Sequence, residues 1–110
     1  MTTYVFDIDG TICTYTDGQY SLAQPIKERI EIVNHLYDSG NEIIIFTARG
    51  MGTFRNNYKD ASAKWRDLTE GQLQNWGVKF HNLFFGKPAG DIYIDDKAIN
   101  DHDFFSSFNL

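Results

Sequence analysis

With 110 residues, 42% of them hydrophobic, 15% aromatic and 23% charged, the chain has the composition of one globular domain spanning 1–110 and should bury roughly 66% of its unfolded surface. Fifteen acidic residues against ten basic ones leave a net charge of −5, which argues against nucleic acid or an anionic membrane surface as partner. The longest purely apolar run, Ile43 to Phe46, is far short of a bilayer span, and Met1-Thr2-Thr3 lacks the character of a secretory signal, so a cytoplasmic protein is expected.

The run Tyr4 to Asp9, apolar and closed by Gly10-Thr11, predicts a buried first strand. Asp17-Gly18, between Tyr15 and Tyr20, predicts a small hairpin beyond it. Pro25 opens a segment with Ile26, Ile30, Val33, Leu36 and Tyr37 at helical spacing, and Gly40 closes it. Glu42 to Thr47 reads as an interior strand covered on both faces, and strand, helix, strand implies a right-handed parallel crossover. Arg49 to Asn57 reads as a loop. A helical region follows through Trp65, Leu68, Leu73 and Trp76 to Gly77, with a capping box at Thr69 to Gln72 that permits a division into two helices. Val78 to Phe85 is expected to be extended, and Asp91 to Asp95 to form a further buried strand. Gly86 to Gly90 is too short for a parallel crossover between these last two. The fold class is therefore α/β with a mainly parallel sheet.

Parallel strands carry their C-terminal ends to one edge, where open α/β folds place ligands. Asp7, Thr47 and Asp95 all occupy such ends. Asp7 and Asp9 lie on the same side of an extended chain, and Asp96 adds a fourth carboxylate that, with the others, accounts for most of the acidic excess. Clustered carboxylates raise one another's pKa unless a cation balances them, and an all-oxygen ligand set with retained waters suits Mg2+. A single cysteine, Cys13, excludes an internal disulfide, and His35, His81 and His102 have no zinc spacing. A carboxylate-held metal, the Thr47 hydroxyl and the Lys87 ammonium together make a receptor for a phosphoryl group, with one aspartate free to attack phosphorus.

These residues carry a family resemblance. Asp7-Ile8-Asp9-Gly10-Thr11, Thr47 after its apolar run, Lys87, and Asp95-Asp96 resemble, in order, the four signatures of the haloacid dehalogenase (HAD) superfamily. Phe46-Thr47-Ala48-Arg49-Gly50-Met51, Trp76-Gly77-Val78-Lys79-Phe80, Gly86-Lys87-Pro88 and Tyr93 to Asn100 resemble its small capless members associated with capsular-polysaccharide biosynthesis. The resemblance implies a three-layer α/β/α sandwich with a Rossmann-like sheet and no cap domain. It implies a Mg2+-dependent phosphatase in which Asp7 is the nucleophile, Asp9 the general acid and base, and Thr47 and Lys87 the stabilisers of the phosphoryl oxygens. Asp7, Asp9 through its backbone carbonyl, Asp95 and Asp96 would surround the metal. Thr47, Ala48, Arg49 and Lys87 would meet the substrate, expected to be a phosphorylated sugar or capsule precursor. The link after Lys87 is shorter than in many relatives.

Other readings stand beside these. An open site also suits a phosphoprotein or a nucleic-acid end, and a receiver-like phospho-acceptor module shares the early carboxylates, threonine and Lys-Pro pair. Arg49 and Arg55 serve either substrate oxygens or structural salt bridges. Lys97 and Asn100 serve either the site or a cap on the following segment. Trp65, Trp76 and Phe104, Phe105 and Phe108 cover the sheet or, as a second reading, form a homo-oligomer interface.

Overall fold

The computed structural model describes residues 1–108. It is a small α/β domain in which β1 (Thr3–Phe6), α1 (Lys27–Asp38), β2 (Glu42–Thr47), α2 (Tyr58–Asn75), β3 (Asn82–Phe85) and α3 (Asp101–Ser106) follow in chain order. The three strands form one parallel sheet in the order β1-β2-β3, with Tyr4 opposite Ile43 and Phe46 opposite Phe84.

Side-chain alternation sorts the sheet into two unlike faces. Phe6, Ile8, Ile43 and Ile45 are buried against Ile30, Val33 and Leu36 of α1 and Leu73 of α2, and Phe105 of α3 belongs to the same cluster. The opposite face carries Val5, Ile44, Phe46 and Phe84, and these border a shallow apolar groove of about 550 Å³. Burial along β2 alternates accordingly. The expectation of a strand covered on both faces is corrected: both long helices feed one core, and a third layer is not seen among the described residues. An unbroken apolar run states what a strand could bury, not how many layers are there to bury it.

The Asp17-Gly18 turn is present, with φ of 52° and 88°, but in place of a tight hairpin its flanks meet only in an isolated antiparallel bridge of Cys13 with Pro25. Between them lies a single 3-10 turn at Tyr20–Leu22. The helical region is one helix, α2, capped by the Asn57 side chain, which accepts from the Lys59 and Asp60 N–H groups. Thr69 lies inside α2, fully buried, so its box marks no helix start. Asn100 caps α3, accepting from the His102 N–H at 3.0 Å, the supporting role foreseen for it. Phe104 and Phe105 pack on Phe6 at 5.6 and 6.0 Å between ring centroids, and Arg29 of α1 fastens α3 through Asp101 at 2.6 Å.

The largest departure lies between β3 and α3. Asp91 to Asp95 forms no strand, and every residue from 88 to 100 is exposed, with Ile92 at 80% and Ile94 at 95% of full exposure. The difficulty of a five-residue link between parallel neighbours is resolved because this segment joins no sheet within its own chain.

Candidate functional site

Asp7 follows β1, Thr47 ends β2 and Lys87 stands two residues beyond β3. Parallel pairing brings all three to one rim, and the backbone locks the last two together: the Lys87 N–H donates to the Thr47 carbonyl at 3.2 Å. The Lys87 ammonium lies 3.6 Å from Asp7 Oδ2 and 4.3 Å from the centre of the Tyr93 ring. Despite the short link that follows it, Lys87 lies beside Asp7 at the strand ends.

Burial pushes the Asp7 carboxyl above its ordinary range, and the Lys87 charge opposes that shift only in part. An anion at this position is costly unless positive charge comes close. Behind Asp7 the chain turns sharply. Gly10 has φ of 78°, a conformation glycine adopts without strain, and the Ile8 carbonyl accepts from the N–H groups of Thr11 and Ile12. This turn aims Asp9 inward.

There Asp9 meets Arg49. The guanidinium donates from Nε to Asp9 Oδ2 at 2.9 Å and from Nη2 to Oδ1 at 3.0 Å. Its Nη1 reaches Thr69 at 3.0 Å and Gln72 at 2.6 Å on α2, and its plane lies 4.9 Å from the Tyr20 ring centre. The Arg49 side chain has no exposed surface. Of its two proposed roles the structure shows the salt bridge: four guanidinium hydrogen bonds go to Asp9, Thr69 and Gln72. Sequence reasoning missed that Thr69 and Gln72, taken as a capping box, are the far half of this network. The signal was a Thr and a Gln three apart on a helix, beside an arginine with no other carboxylate partner assigned.

Thr47 is fully buried, and its hydroxyl accepts from the Arg49 N–H at 3.1 Å. Its oxygen therefore braces the β2 end while retaining a proton to donate. Ala48 is half-buried beside it, and Arg55 is exposed in the following loop with φ of 52°. Cys13 packs under Asp9, with Sγ 3.6 Å from Oδ1.

Asp95 and Asp96 are not brought to this group. Both are exposed on the segment after Lys87, and Asp95 is held below the usual carboxylate range first by the Lys97 N–H and then by Asp96. No cluster of three or more acidic, histidine or cysteine side chains suited to a metal occurs among the described residues. Among the described residues of one chain the four expected magnesium ligands are therefore not gathered: Asp7 faces the rim, the Asp9 carboxylate is held by Arg49 while its backbone carbonyl is not, and Asp95 and Asp96 lie apart on the exposed segment.

The site is thus a rim of a parallel α/β sheet where Asp7 and the Lys87 ammonium meet at 3.6 Å, with Thr47 buried at the neighbouring strand end. No protein-family model and no curated protein matches the chain. Among solved structures, a crystal structure of a structural-genomics target from Vibrio cholerae resembles it with a TM-score of 0.88 and 29% identity, covering 100% of this chain and 91% of that one. A chain in the structure of a Pnkp1/Rnl/Hen1 complex has a TM-score of 0.57 and 16% identity. That second match covers 96% of this chain but 33% of the other, and it shows a shared fold alone. Among the described residues no helix is long and apolar enough to cross a membrane.

Proposed function

We propose that the protein is a phosphomonoester hydrolase of the HAD type that works through phospho-Asp7, with magnesium as its cation and a phosphorylated sugar or capsule precursor as substrate. The observation that carries the reading is the meeting of Asp7, Thr47 and Lys87 at one rim, with Lys87 3.6 Å from the carboxylate. The order of the four motifs along the chain supports it. The substrate class rests on the resemblance of the later motifs to capsule-associated members.

In the proposed reaction an Asp7 oxygen attacks phosphorus in line, the bond from phosphorus to the ester oxygen breaks, and the leaving oxygen takes a proton. Water then attacks phosphorus and cleaves the acyl phosphate, returning Asp7. Lys87 and Thr47 stabilise the equatorial oxygens as charge gathers there. Asp9 is the proposed proton carrier, and it can serve only when one of its oxygens leaves Arg49. The geometry therefore favours Asp7 as nucleophile more directly than Asp9 as acid. Magnesium, held by Asp7, the Asp9 carbonyl, Asp95 and Asp96, would supply positive charge against the phosphoryl oxygens.

The test is a panel of phosphosugars, phosphopeptides and end-phosphorylated oligonucleotides, with and without magnesium. Phosphate release from phosphosugars that needs the metal and disappears in Asp7→Asn is expected. Full activity of Asp7→Asn overturns the nucleophile. A preference for polymers overturns the substrate class, and a stable phospho-protein without phosphate release identifies a receiver-like module instead.

A further inference from the structure

The segment 88–100 is at odds with its own composition. It contains Ile92, Tyr93, Ile94 and Ile99, yet all of it is exposed. Its two ends are fixed. Lys87 is tied to Thr47 and Asp7, the Ala89 N–H donates to Asn56 at 3.0 Å, and Asp101 is tied to Arg29. Near its base the Tyr93 hydroxyl donates to the Pro88 carbonyl at 2.6 Å and accepts from the Gly90 N–H at 3.0 Å. This clamp folds the base into a turn, and the two isoleucines beside it, Ile92 and Ile94, are 80% and 95% exposed. The segment is an arm, not a frayed end.

The same molecule carries the surface such an arm lacks. On its outer side β1 has no neighbouring strand among the described residues, so one row of its backbone donors and acceptors is free to pair with another chain. Val5 on that strand is 58% exposed and continues into the apolar groove with Ile44, Phe46 and Phe84. Ile92-Tyr93-Ile94 is β-branched and aromatic, the composition favoured in strands, and β1 offers four residues to pair with it. The likeness to the Vibrio cholerae structure extends over 100% of this chain, so the arm lies within the matched length.

We infer that two copies of this chain exchange their 88–100 arms, Asp91 to Asp95 of each adding as a parallel fourth strand to the free edge of β1 in the other. Such an exchange is self-complementary and closes as a two-fold dimer. Parallel addition puts the C-terminal end of the arriving strand at the rim that holds Asp7. Each site then gains Asp95 and Asp96 from the partner copy, which supplies the carboxylates that a single chain fails to gather. The exchange stands on exposure and edge pairing. The donation of metal ligands rests on the proposed hydrolase reading.

Two measurements separate these claims. With Cys13 replaced by Ala, Val5→Cys and Ile92→Cys in one chain are treated with a short bis-maleimide, and each single-cysteine chain is treated as a control. A covalent dimer in the double variant, formed at dilution where the controls stay monomeric, supports exchange. An internally linked monomer, or no link at all in a chain that light scattering shows to be monomeric, overturns it. In the second measurement Asp7→Asn and Asp95→Asn are each inactive alone and are refolded together. Exchange with shared ligands restores about one quarter of wild-type activity, because half of the dimers are mixed and each mixed dimer has one intact site. A covalent dimer without restored activity, in a wild type that does hydrolyse phosphomonoesters, overturns the donated ligands. A covalent dimer with no hydrolysis of any substrate by the wild type supports the exchange and overturns the hydrolase.

Discussion

Arg49 and Cys13 show how much of the rim depends on groups lying beneath it. Arg49 is buried with four side-chain hydrogen bonds to Asp9, Thr69 and Gln72, so Arg49→Ala leaves a carboxylate, a hydroxyl and an amide oxygen without their donor. We expect a loss of about 3 kcal/mol in urea unfolding, and Arg49→Lys recovers little of it because a lysine cannot span two elements with a planar fork. An unchanged midpoint in Arg49→Ala would remove the network from the account. Cys13 is fully buried, and burial, followed by the Asp9 charge, pushes its thiol up to about 12. An acid whose folded pKa is raised binds its proton more tightly in the native state. Its contribution to stability is therefore intact below the ordinary thiol value and declines as pH rises from there towards about 12. Native protein at pH 8.5 is expected to resist iodoacetamide that modifies the urea-unfolded chain within minutes, and stability should fall above about pH 9 in wild type but not through this route in Cys13→Ala.

At the scale of elements, the loop from β2 to α2 is where close approach matters most. Gly50 has φ of 76°, and a Cβ there would meet Trp65 Cδ1 at 2.7 Å and Ala61 Cβ at 3.1 Å. Gly50→Ala therefore combines an unfavourable backbone with a clash against the first turns of α2, and we expect a loss of about 2 kcal/mol by thermal melting. A neutral result would mean that α2 can shift away from the sheet. The sequence made β1, β2 and α1 legible because each places its apolar residues in one short periodic block, and parallel topology followed from their alternation. It also made Asp7 and Thr47 legible, since a strand end is a local property and parallel neighbours share an edge; Asp95, read as the third such end, is on no strand, and Lys87 was assigned from the resemblance. The Arg49 network was not legible, because Thr69 and Gln72 have one spacing whether they cap a helix or hold a guanidinium. The fate of Asp91 to Asp95 was not legible for a related reason: an apolar run reports that a segment seeks burial, and is silent on which surface, or which copy of the chain, provides it.

For the molecule as a whole, the open sheet face, the free β1 edge and the exposed arm pose one energetic problem. A domain of this size has little core to spare, and leaving Ile92 and Ile94 at 80% and 95% exposure forgoes roughly 1.5–3 kcal/mol for each side chain that burial would return. If a second copy provides that burial, unfolding is coupled to dissociation, and mass action makes the melting temperature depend on protein concentration. For about 220 residues unfolding as one dimer, a tenfold increase in concentration should raise the melting temperature by about 3 °C. The paired substitution Ile92→Ser and Ile94→Ser removes the apolar content of the arm while leaving Lys87 and its contacts in place. That variant should sediment as a monomer and melt at one temperature from micromolar to hundreds of micromolar. The wild type and the variant must differ in this respect: a wild-type melting temperature that is flat over the same range means the arm finds no partner copy, and each chain is then left without Asp95 and Asp96 beside Asp7.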